Sequence, residues 1–286
     1  MTRAIHRARG GRQPQGANGR AGTPGDGQVP PATQRGRRVP GPPRDREYVA
    51  AVPGERLTDQ LRRRAHGLVG EALQAAWAWA GNAGAIGPES PRGRRFAHMG
   101  AGSWVAFPPG AVFGEEYISI GARTMVGPYV TLAAGLAPGE VLQVPDGVAI
   151  SIGERCTIGR GASIVGRHRI VIEDDVTTAP NIYITDHNHA YNDPDLPIGR
   201  QWLSEEPVRV GAGSWLGTGV VVLPGADIGR HVTVAAGAVV RGTVPDHAVV
   251  AGVPARVVRR YVDGEGWQPP LRHEVSTPAW WSAAEG

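Results

Sequence analysis

An aliphatic residue recurs at every sixth position in the second half of the chain. The clearest run is Val210, Leu216, Val222, Ile228, Val234 and Val240, and four of these six residues are followed by Gly or Ala. An α-helix repeats every 3.6 residues and a strand every two, so neither accounts for a period of six. A coil with flat sides does, because one aliphatic side chain per side points into a narrow shared interior.

The same repeat runs upstream, with two interruptions. It is present from Ile120 to Val126 and from Ile152 to Ile184, where it shifts once by two residues. Three sides of six residues give coils of roughly 18 residues, and about seven coils in all. Residues 133–147 and 186–207 fall out of phase and are predicted to leave the coil as loops. A loop as long as the second is usually functional or disordered, and its two histidines favour function.

Four segments follow from this pattern. Residues 1–47 are rich in Gly, Pro and Arg and poor in large apolar residues, so a disordered tail is predicted. Residues 48–110 contain one amphipathic helix, predicted from Thr58 to Ala80, which is expected to cover the open first coil, and a linker. The repeat domain is assigned to 111–260. A Trp-containing tail, 261–286, is expected along the coil or on a neighbouring subunit.

The positive charge of the chain is concentrated at its N-terminus. Residues 1–46 contain ten Arg and two Asp, about +8, whereas the whole chain carries +4, which leaves about −4 on the remainder. Such an arm can contact nucleic acid or an anionic membrane. An inert extension is the preferred interpretation, so no nucleic-acid partner is expected, and membrane contact of the N-terminal region is a minor alternative.

Targeting signals and disulfides are not predicted. No segment resembles a signal peptide or reaches the ~18 uninterrupted apolar residues of a membrane span. The single cysteine, Cys156, occupies a small interior position of its hexapeptide and is expected to be buried. A cytoplasmic location is therefore expected.

Residues able to carry chemistry cluster in the second interruption, which begins DHNHAY from Asp186 to Tyr191. A histidine at the edge of a rigid coil is well placed to act as a general base near neutral pH. A hydroxyl group attacks an acyl carbonyl poorly unless its proton is removed during the attack. One fixed imidazole can remove it, so acyl transfer is a natural reaction for this loop.

Five motifs carry a family resemblance: APNIYITDH at 179–187, WLGT at 215–218, VLPG at 222–225, AAGAV at 235–239 and AGVPAR at 251–256. In this order they resemble the hexapeptide acyltransferases, in particular the galactoside and maltose O-acetyltransferases and related polysaccharide-modifying acetyltransferases. The resemblance covers about 118–260. It implies an all-β fold, the left-handed parallel β-helix, although parallel crossovers in general favour a right-handed coil.

The resemblance also implies a role for each matched residue. His187 matches the family's catalytic base, and His189 is the less favoured candidate. The residues that could orient the imidazole or the acceptor are Asp186, Asn188 and Tyr191. The residues expected to contact coenzyme A are Trp215, Gly217, Thr218, Ala236, Gly237, Arg241, Arg256 and Arg259. Among these, the tryptophan and the small residues match positions beside the pantetheine and thioester, and the arginines match positions near the phosphates, with an exposed solubilising role equally open for Arg241.

The implied reaction is direct transfer from acyl-coenzyme A, expected to be acetyl-coenzyme A, to a hydroxyl of a carbohydrate-type acceptor. Coenzyme A is then a co-substrate, and neither a tightly bound cofactor nor a metal is expected. A homotrimer with active sites in the clefts between neighbouring coils is implied as well. One departure is Gly159-Arg160-Gly161, where the sugar acetyltransferases usually carry an acceptor-binding Asn, which puts a galactoside or maltose acceptor in doubt.

Two other functions compete with acyl transfer. A γ-type carbonic anhydrase has the same fold and binds zinc through three histidines from adjacent subunits, for which His168, His187 and His189 are the candidates. Their spacing does not match that family, and the coenzyme A motifs would have no purpose. A non-catalytic scaffold is the second alternative, with the basic tail as its contact to an acidic partner.

Overall fold

The computed structural model describes residues 56–272. The tail predicted at 1–47 lies outside the described residues, as do Trp280 and Trp281 of the predicted C-terminal tail. The described part begins with one α-helix, α1 (Leu57–Ala83), which precedes a long series of short strands. No helix within 56–272 is long and apolar enough to cross a bilayer.

Three stacks of parallel strands form the three flat faces of a coil. The first face contains β1 (His98–Met99), β4 (Ile118–Ile120), β7 (Ile150–Ile152), β10 (Ile170–Ile172), β15 (Val208–Val210), β18 (Asp227–Ile228) and β21 (Thr243–Val244). The second contains β2 (Trp104–Val105), β5 (Met125–Val126), β8 (Thr157–Ile158), β11 (Thr177–Thr178), β16 (Trp215–Leu216), β19 (Thr233–Val234) and β22 (Ala248–Ala251). The third contains β3 (Val112–Phe113), β6 (Thr131–Ala134), β9 (Ser163–Gly166), β12 (Tyr183–Thr185), β17 (Val221–Val222) and β20 (Val239–Val240). Seven strands on the first face correspond to seven coils, and the first of these coils lies before the start predicted for the repeat domain.

The repeated aliphatic residues form a continuous interior column. On the first face, Ile152 pairs with Ile172, Ile172 with Val210 and Val210 with Ile228, and all four are essentially inaccessible to solvent. Each fully buried side chain of this kind stabilises the fold by roughly 1.5–3 kcal/mol. Cys156 is buried in the same column, as predicted.

Two of the three edges between the faces position the candidate site. The turn from the third face to the first is here called the loop edge, because residues 135–149 and 186–207 leave the coil there. The turn from the second face to the third is called the small-residue edge, and it includes 217–220 and 235–238. The two predicted interruptions thus leave the coil at the same edge.

The N-terminal end of the coil lies earlier in the chain than predicted. The first coil begins with β1, so part of the predicted linker belongs to the repeat domain. The helix has no buried residue, and the ring of Trp77 near its end lies 6.4 Å from the ring of Phe107, centroid to centroid. The expected packing of the helix over the first coil stays a prediction, and in the described residues the segment after the helix covers this end. Ile86 and Phe96 are buried there, and Ile86 exchanges backbone hydrogen bonds with Val105.

The C-terminal end is covered by two antiparallel strands. β23 (Arg256–Val262) pairs with β22, and β24 (Gly266–Gln268) pairs with β23. The start of the predicted tail therefore continues the second face, where it protects an otherwise open strand edge. Short 3-10 turns complete the described elements at Gly93–Arg95, Glu115–Tyr117, Pro145–Gly147 and Ile198–Arg200.

Candidate active site

Asp186 occupies a cradle of backbone N–H groups at the loop edge. Its carboxyl group is fully buried directly after β12. The N–H groups of Arg167, His168 and Arg169, from the short corner of the preceding coil, donate to it at 3.0, 2.8 and 2.8 Å. Successive N–H groups converging on one position form an anion-binding concavity. The main chain thus fixes both the position and the orientation of this carboxyl group.

His187 is the side chain that this carboxyl group orients. Its Nδ1 lies 2.9 Å from Asp186 Oδ1, and Thr185 Oγ1 is 3.4 Å from the same nitrogen. A ring nitrogen bound to a carboxyl group carries the proton, which assigns the tautomer and leaves Nε2 as the acceptor. With its side chain only 11% exposed, the imidazole is held in place, and its Nε2 is suited to remove a proton.

The second interruption is a β-hairpin rather than an irregular loop. β13 (His187–His189) pairs antiparallel with β14 (Leu203–Glu205), which places Glu205 opposite His187. Asn188 and His189 are exposed on this hairpin, as is Tyr191 just beyond β13. The contact with the buried carboxyl group belongs to His187, whereas the ring of His189 makes no hydrogen bond to another described residue.

The small-residue edge provides a different kind of surface. Gly217 lies so close to the next coil that a Cβ atom there would be 2.6 Å from the main-chain nitrogen of Ala236. Gly237, at φ 69°, has no atom within 4 Å of its Cβ position, and its N–H donates to Thr218 O. Trp215 lies just before this edge with 48% of its surface exposed. Together they form a narrow strip of small residues beside one aromatic ring.

The three predicted phosphate-binding arginines occupy different positions. Arg256 begins β23 opposite Ala251, near the small-residue edge, and is exposed. Arg259 lies further along β23, where its Nη2 donates to Pro270 O at 3.4 Å and its Nε is buried with no partner among the described residues. Arg241 follows β20 and therefore lies on the loop edge. The structure separates Arg241 from the other predicted donor-side residues.

The candidate residues form two groups that one chain does not bring together. Asp186 and His187 are on the loop edge, and Gly217, Thr218 and Gly237 are on the small-residue edge. A third-face strand and its flanking residues separate the edges by roughly 15 Å, at about 3.3 Å per residue. His187 of the first group and the strip of small residues of the second group can line one cleft only if a second copy of the chain supplies one of them.

Sequence reasoning missed Arg167, which donates to Asp186 and also binds both interruptions through its side chain. No local motif marks this residue, since its ion-pair partners lie 27 and 38 residues away. Within 56–272 no group of three metal-ligating side chains lies close together.

Known protein families contain the same hexapeptide repeat as this chain. Residues 207–242 match the family model described as bacterial transferase hexapeptide (six repeats), and 149–186 match the hexapeptide repeat of succinyl-transferase. Repeats of this type form left-handed parallel β-helices, which confirms the predicted fold class. The N-acyltransferase AntD from Bacillus cereus, solved with dTDP and coenzyme A, superposes with a TM-score of 0.50 at 17% identity. The superposition covers 62% of this chain and 93% of AntD, and it supports the fold alone.

Two curated relatives match this chain more closely in sequence. WbbJ of Escherichia coli, named as a lipopolysaccharide biosynthesis O-acetyl transferase, is 38% identical over 127 residues, 42% of this chain and 58% of WbbJ. Galactoside O-acetyltransferase of Escherichia coli is 32% identical over 131 residues, 44% of this chain and 64% of the relative. The chain thus spans less than two thirds of either relative. These matches confirm that the chain carries the bacterial transferase hexapeptide repeat and is similar to the O-acetyltransferases, as its motifs predicted.

Proposed function

We propose that this chain is an acyl-coenzyme A-dependent O-acyltransferase, with acetyl as the favoured acyl group and a carbohydrate hydroxyl as the acceptor. The observation that carries the proposal is the buried contact between Asp186 and His187, which leaves Nε2 of the imidazole as a fixed base. The names of the relatives, a lipopolysaccharide biosynthesis enzyme and a galactoside acetyltransferase, support a sugar as the acceptor class.

The proposed reaction is a single transfer with both substrates bound. His187 Nε2 removes the hydroxyl proton while the oxygen attacks the thioester carbonyl, and a backbone N–H near Gly217 and Thr218 stabilises the oxyanion. When the tetrahedral intermediate collapses, the carbon–sulfur bond breaks and the imidazolium returns its proton to the leaving thiolate. Asp186 holds the imidazole in the required tautomer and stabilises its protonated form.

Coenzyme A is proposed to lie along the small-residue edge. Ala236 and Gly237 are exposed there and leave room for the pantetheine arm, with Trp215 as its aromatic neighbour. Arg256, at the same end of the second face, is the best-placed cation for the phosphates, because a planar guanidinium suits phosphate oxygens. Arg259, further along β23, is a second candidate for the phosphates, while Arg241 is not assigned to the donor site. Use of acyl-coenzyme A fits the cytoplasmic location expected from the sequence.

A homotrimer is part of the proposal, because it would join the two edges. In a closed three-fold assembly of flat-sided coils, the loop edge of one copy can face the small-residue edge of the next. Each cleft then holds one His187 and one donor strip, and three equivalent sites result. Light scattering coupled to size exclusion tests this part, and a stable monomer that is fully active would contradict it.

The test of the function is release of coenzyme A thiol from acetyl-, succinyl- and longer acyl-coenzyme A with a panel of sugars and glycans. His187→Ala is expected to lower kcat by about 10²–10⁴-fold, the usual contribution of a general base. His189→Ala is the matched control on the same strand and is expected to stay within a few-fold of the original. Full activity of His187→Ala would refute the assigned base. If coenzyme A also failed to shift the melting temperature, the scaffold alternative would replace the enzyme.

A further inference from the structure

Arg167 connects the catalytic base to both segments that leave the coil. It lies in the corner between β9 and β10, and its N–H is one of the three that hold Asp186. Its guanidinium group points the other way, into the space between the two insertions, and the side chain is only 15% exposed. Main chain and side chain of this residue therefore hold different parts of the candidate site.

The guanidinium group binds three side chains. Its Nε and Nη2 donate to Glu140 Oε1 at 3.1 and 2.8 Å, and Nη1 is paired with Glu205. The Trp202 ring lies across it, 4.9 Å from Cζ to the ring centroid. Glu140 belongs to the first insertion, whereas Trp202 and Glu205 belong to the returning half of the hairpin. One side chain thus ties the two insertions together.

The contacts of Arg167 are connected to His187 through the pairing of the two hairpin strands. Glu205 pairs directly with His187 between β13 and β14, so the residue that Arg167 holds is the one opposite the base. A strand that is held from only one side would allow the ring to shift relative to an acceptor. Because a displacement of about 1 Å can cost 10²-fold in rate, a fixed hairpin matters for transfer.

The charges in this cluster are mutually stabilised. Burial alone would raise the pKa of Glu140 and lower that of Arg167. Hydrogen bonds outweigh burial in both cases, so the pKa of Glu140 lies below its ordinary value and that of Arg167 above it. Leu136 N–H adds to this effect by donating to Glu140 at 2.7 Å. Both groups are therefore charged at neutral pH.

We propose that Arg167 is a positioning residue for acyl transfer, whose guanidinium group fixes the hairpin so that His187 is aimed at the acceptor. This inference rests on the proposed function. It predicts that loss of the guanidinium lowers kcat while the affinity for acyl-coenzyme A is retained, since the proposed donor strip lies on the other edge of the coil.

Arg169 offers a matched control in the same corner. Its N–H also donates to Asp186, at 2.8 Å, but its guanidinium group pairs with the exposed Asp146 at 3.3 Å. Substitution of either arginine leaves the backbone cradle of Asp186 chemically intact. A difference between the two variants therefore reports the guanidinium contacts of Arg167 and not the cradle.

The experiment compares Arg167→Gln, Arg167→Lys and Arg169→Gln by steady-state kinetics and by amide hydrogen exchange of residues 187–205. For Arg167→Gln we expect kcat to fall at least tenfold, KM for acyl-coenzyme A to change less than threefold, and exchange in the hairpin to accelerate. Arg167→Lys should recover part of kcat, because an ammonium group keeps the charge but cannot bridge both glutamates in the same fork geometry. Arg169→Gln should match the original protein in both measurements.

The two readouts separate this inference from the proposed function. If the original protein transferred no acyl group, the exchange measurement would still show whether Arg167 fixes the hairpin. Unchanged hairpin exchange and kcat in Arg167→Gln would overturn the inference, and so would an equal loss of kcat in Arg169→Gln. Should Arg167→Gln fail to fold, Glu205→Ala removes the same bond from the hairpin side and must reproduce the fall in kcat and the faster exchange.

Discussion

The contact between Asp186 and His187 gives the sharpest prediction, because its energy can be worked from the structure. In Asp186→Ala, three partly buried N–H groups, those of Arg167, His168 and Arg169, lose their acceptor. An unsatisfied buried donor costs about 1–3 kcal/mol, and water that enters the new space recovers part of this. We therefore expect a loss of about 3–5 kcal/mol in the free energy of unfolding, within the range of disrupted buried networks.

Asp186→Asn separates the chemical role of this carboxyl group from its structural role. The amide oxygen can still accept from the cradle, so a smaller loss of about 1–2 kcal/mol is expected. The amide nitrogen then faces His187 Nδ1 as a donor, which moves the ring proton to Nε2 and removes the base. We expect kcat to fall by about 10²–10⁴-fold with the folded state retained.

The assays are urea denaturation for stability and thiol release for kcat. Asp146→Asn is the control, since this exposed carboxylate touches the neighbouring Arg169 but not the base. Its effect on stability should stay within about 0.5 kcal/mol. An Asp186→Asn protein with kcat within threefold of the original would show that the tautomer of His187 is not set by this contact, and the reasoning would fail.

Two further predictions concern the small-residue edge and the insertions. Gly217→Asn should destabilise the fold by about 1–3 kcal/mol, because its Cβ would meet the backbone of the next coil, whereas Gly237→Asn, in open space at φ 69°, should cost less than about 1 kcal/mol. Equal urea midpoints for the two variants would contradict the close packing. Glu140→Gln should lower Tm at neutral pH, and the difference should close as the pH falls below 4.5, the ordinary pKa of this group, since its pKa is lower in the folded state. A Tm difference that persists at pH 2 would exclude the ion pair with Arg167 as its cause.

The fold was predictable because each coil must place an aliphatic residue in the interior column on every face, which produces the period of six in the sequence. Positions such as Ile152, Ile172 and Val210 must be aliphatic in every coil, so the pattern survives in a single sequence. The first coil was missed because its interior residues Val105 and Val112 are seven apart and proline lies between them. An end coil packs against one neighbour only, and it is under weaker constraint.

The site was less predictable because it depends on contacts between distant segments. The interrupted repeat located the loop, and the family resemblance named His187 and Asp186 within it. Neither could indicate the cradle that holds the carboxyl group, since backbone N–H groups carry no sequence signal. Arg167 has no local motif, and its partner Glu205 comes from the far side of the hairpin. Apolar spacing also predicted the helix near Leu57–Ala83, but spacing does not show what an apolar face contacts.

The separation of the two edges leads to a last prediction, which tests whether the site is shared between copies. The experiment uses two variants. His187→Ala removes the base, and Ala236→Trp fills the exposed strip of small residues proposed to bind coenzyme A while leaving the coil intact. Each protein alone should be inactive. In a mixed trimer, one of the three clefts combines an intact His187 from one copy with an intact strip from another. Random assembly makes about three quarters of the trimers mixed, so refolding an equal mixture should restore about a quarter of the original activity. If the base and the donor strip of one chain served the same site, no mixture would be active, and the trimer would have no part in catalysis.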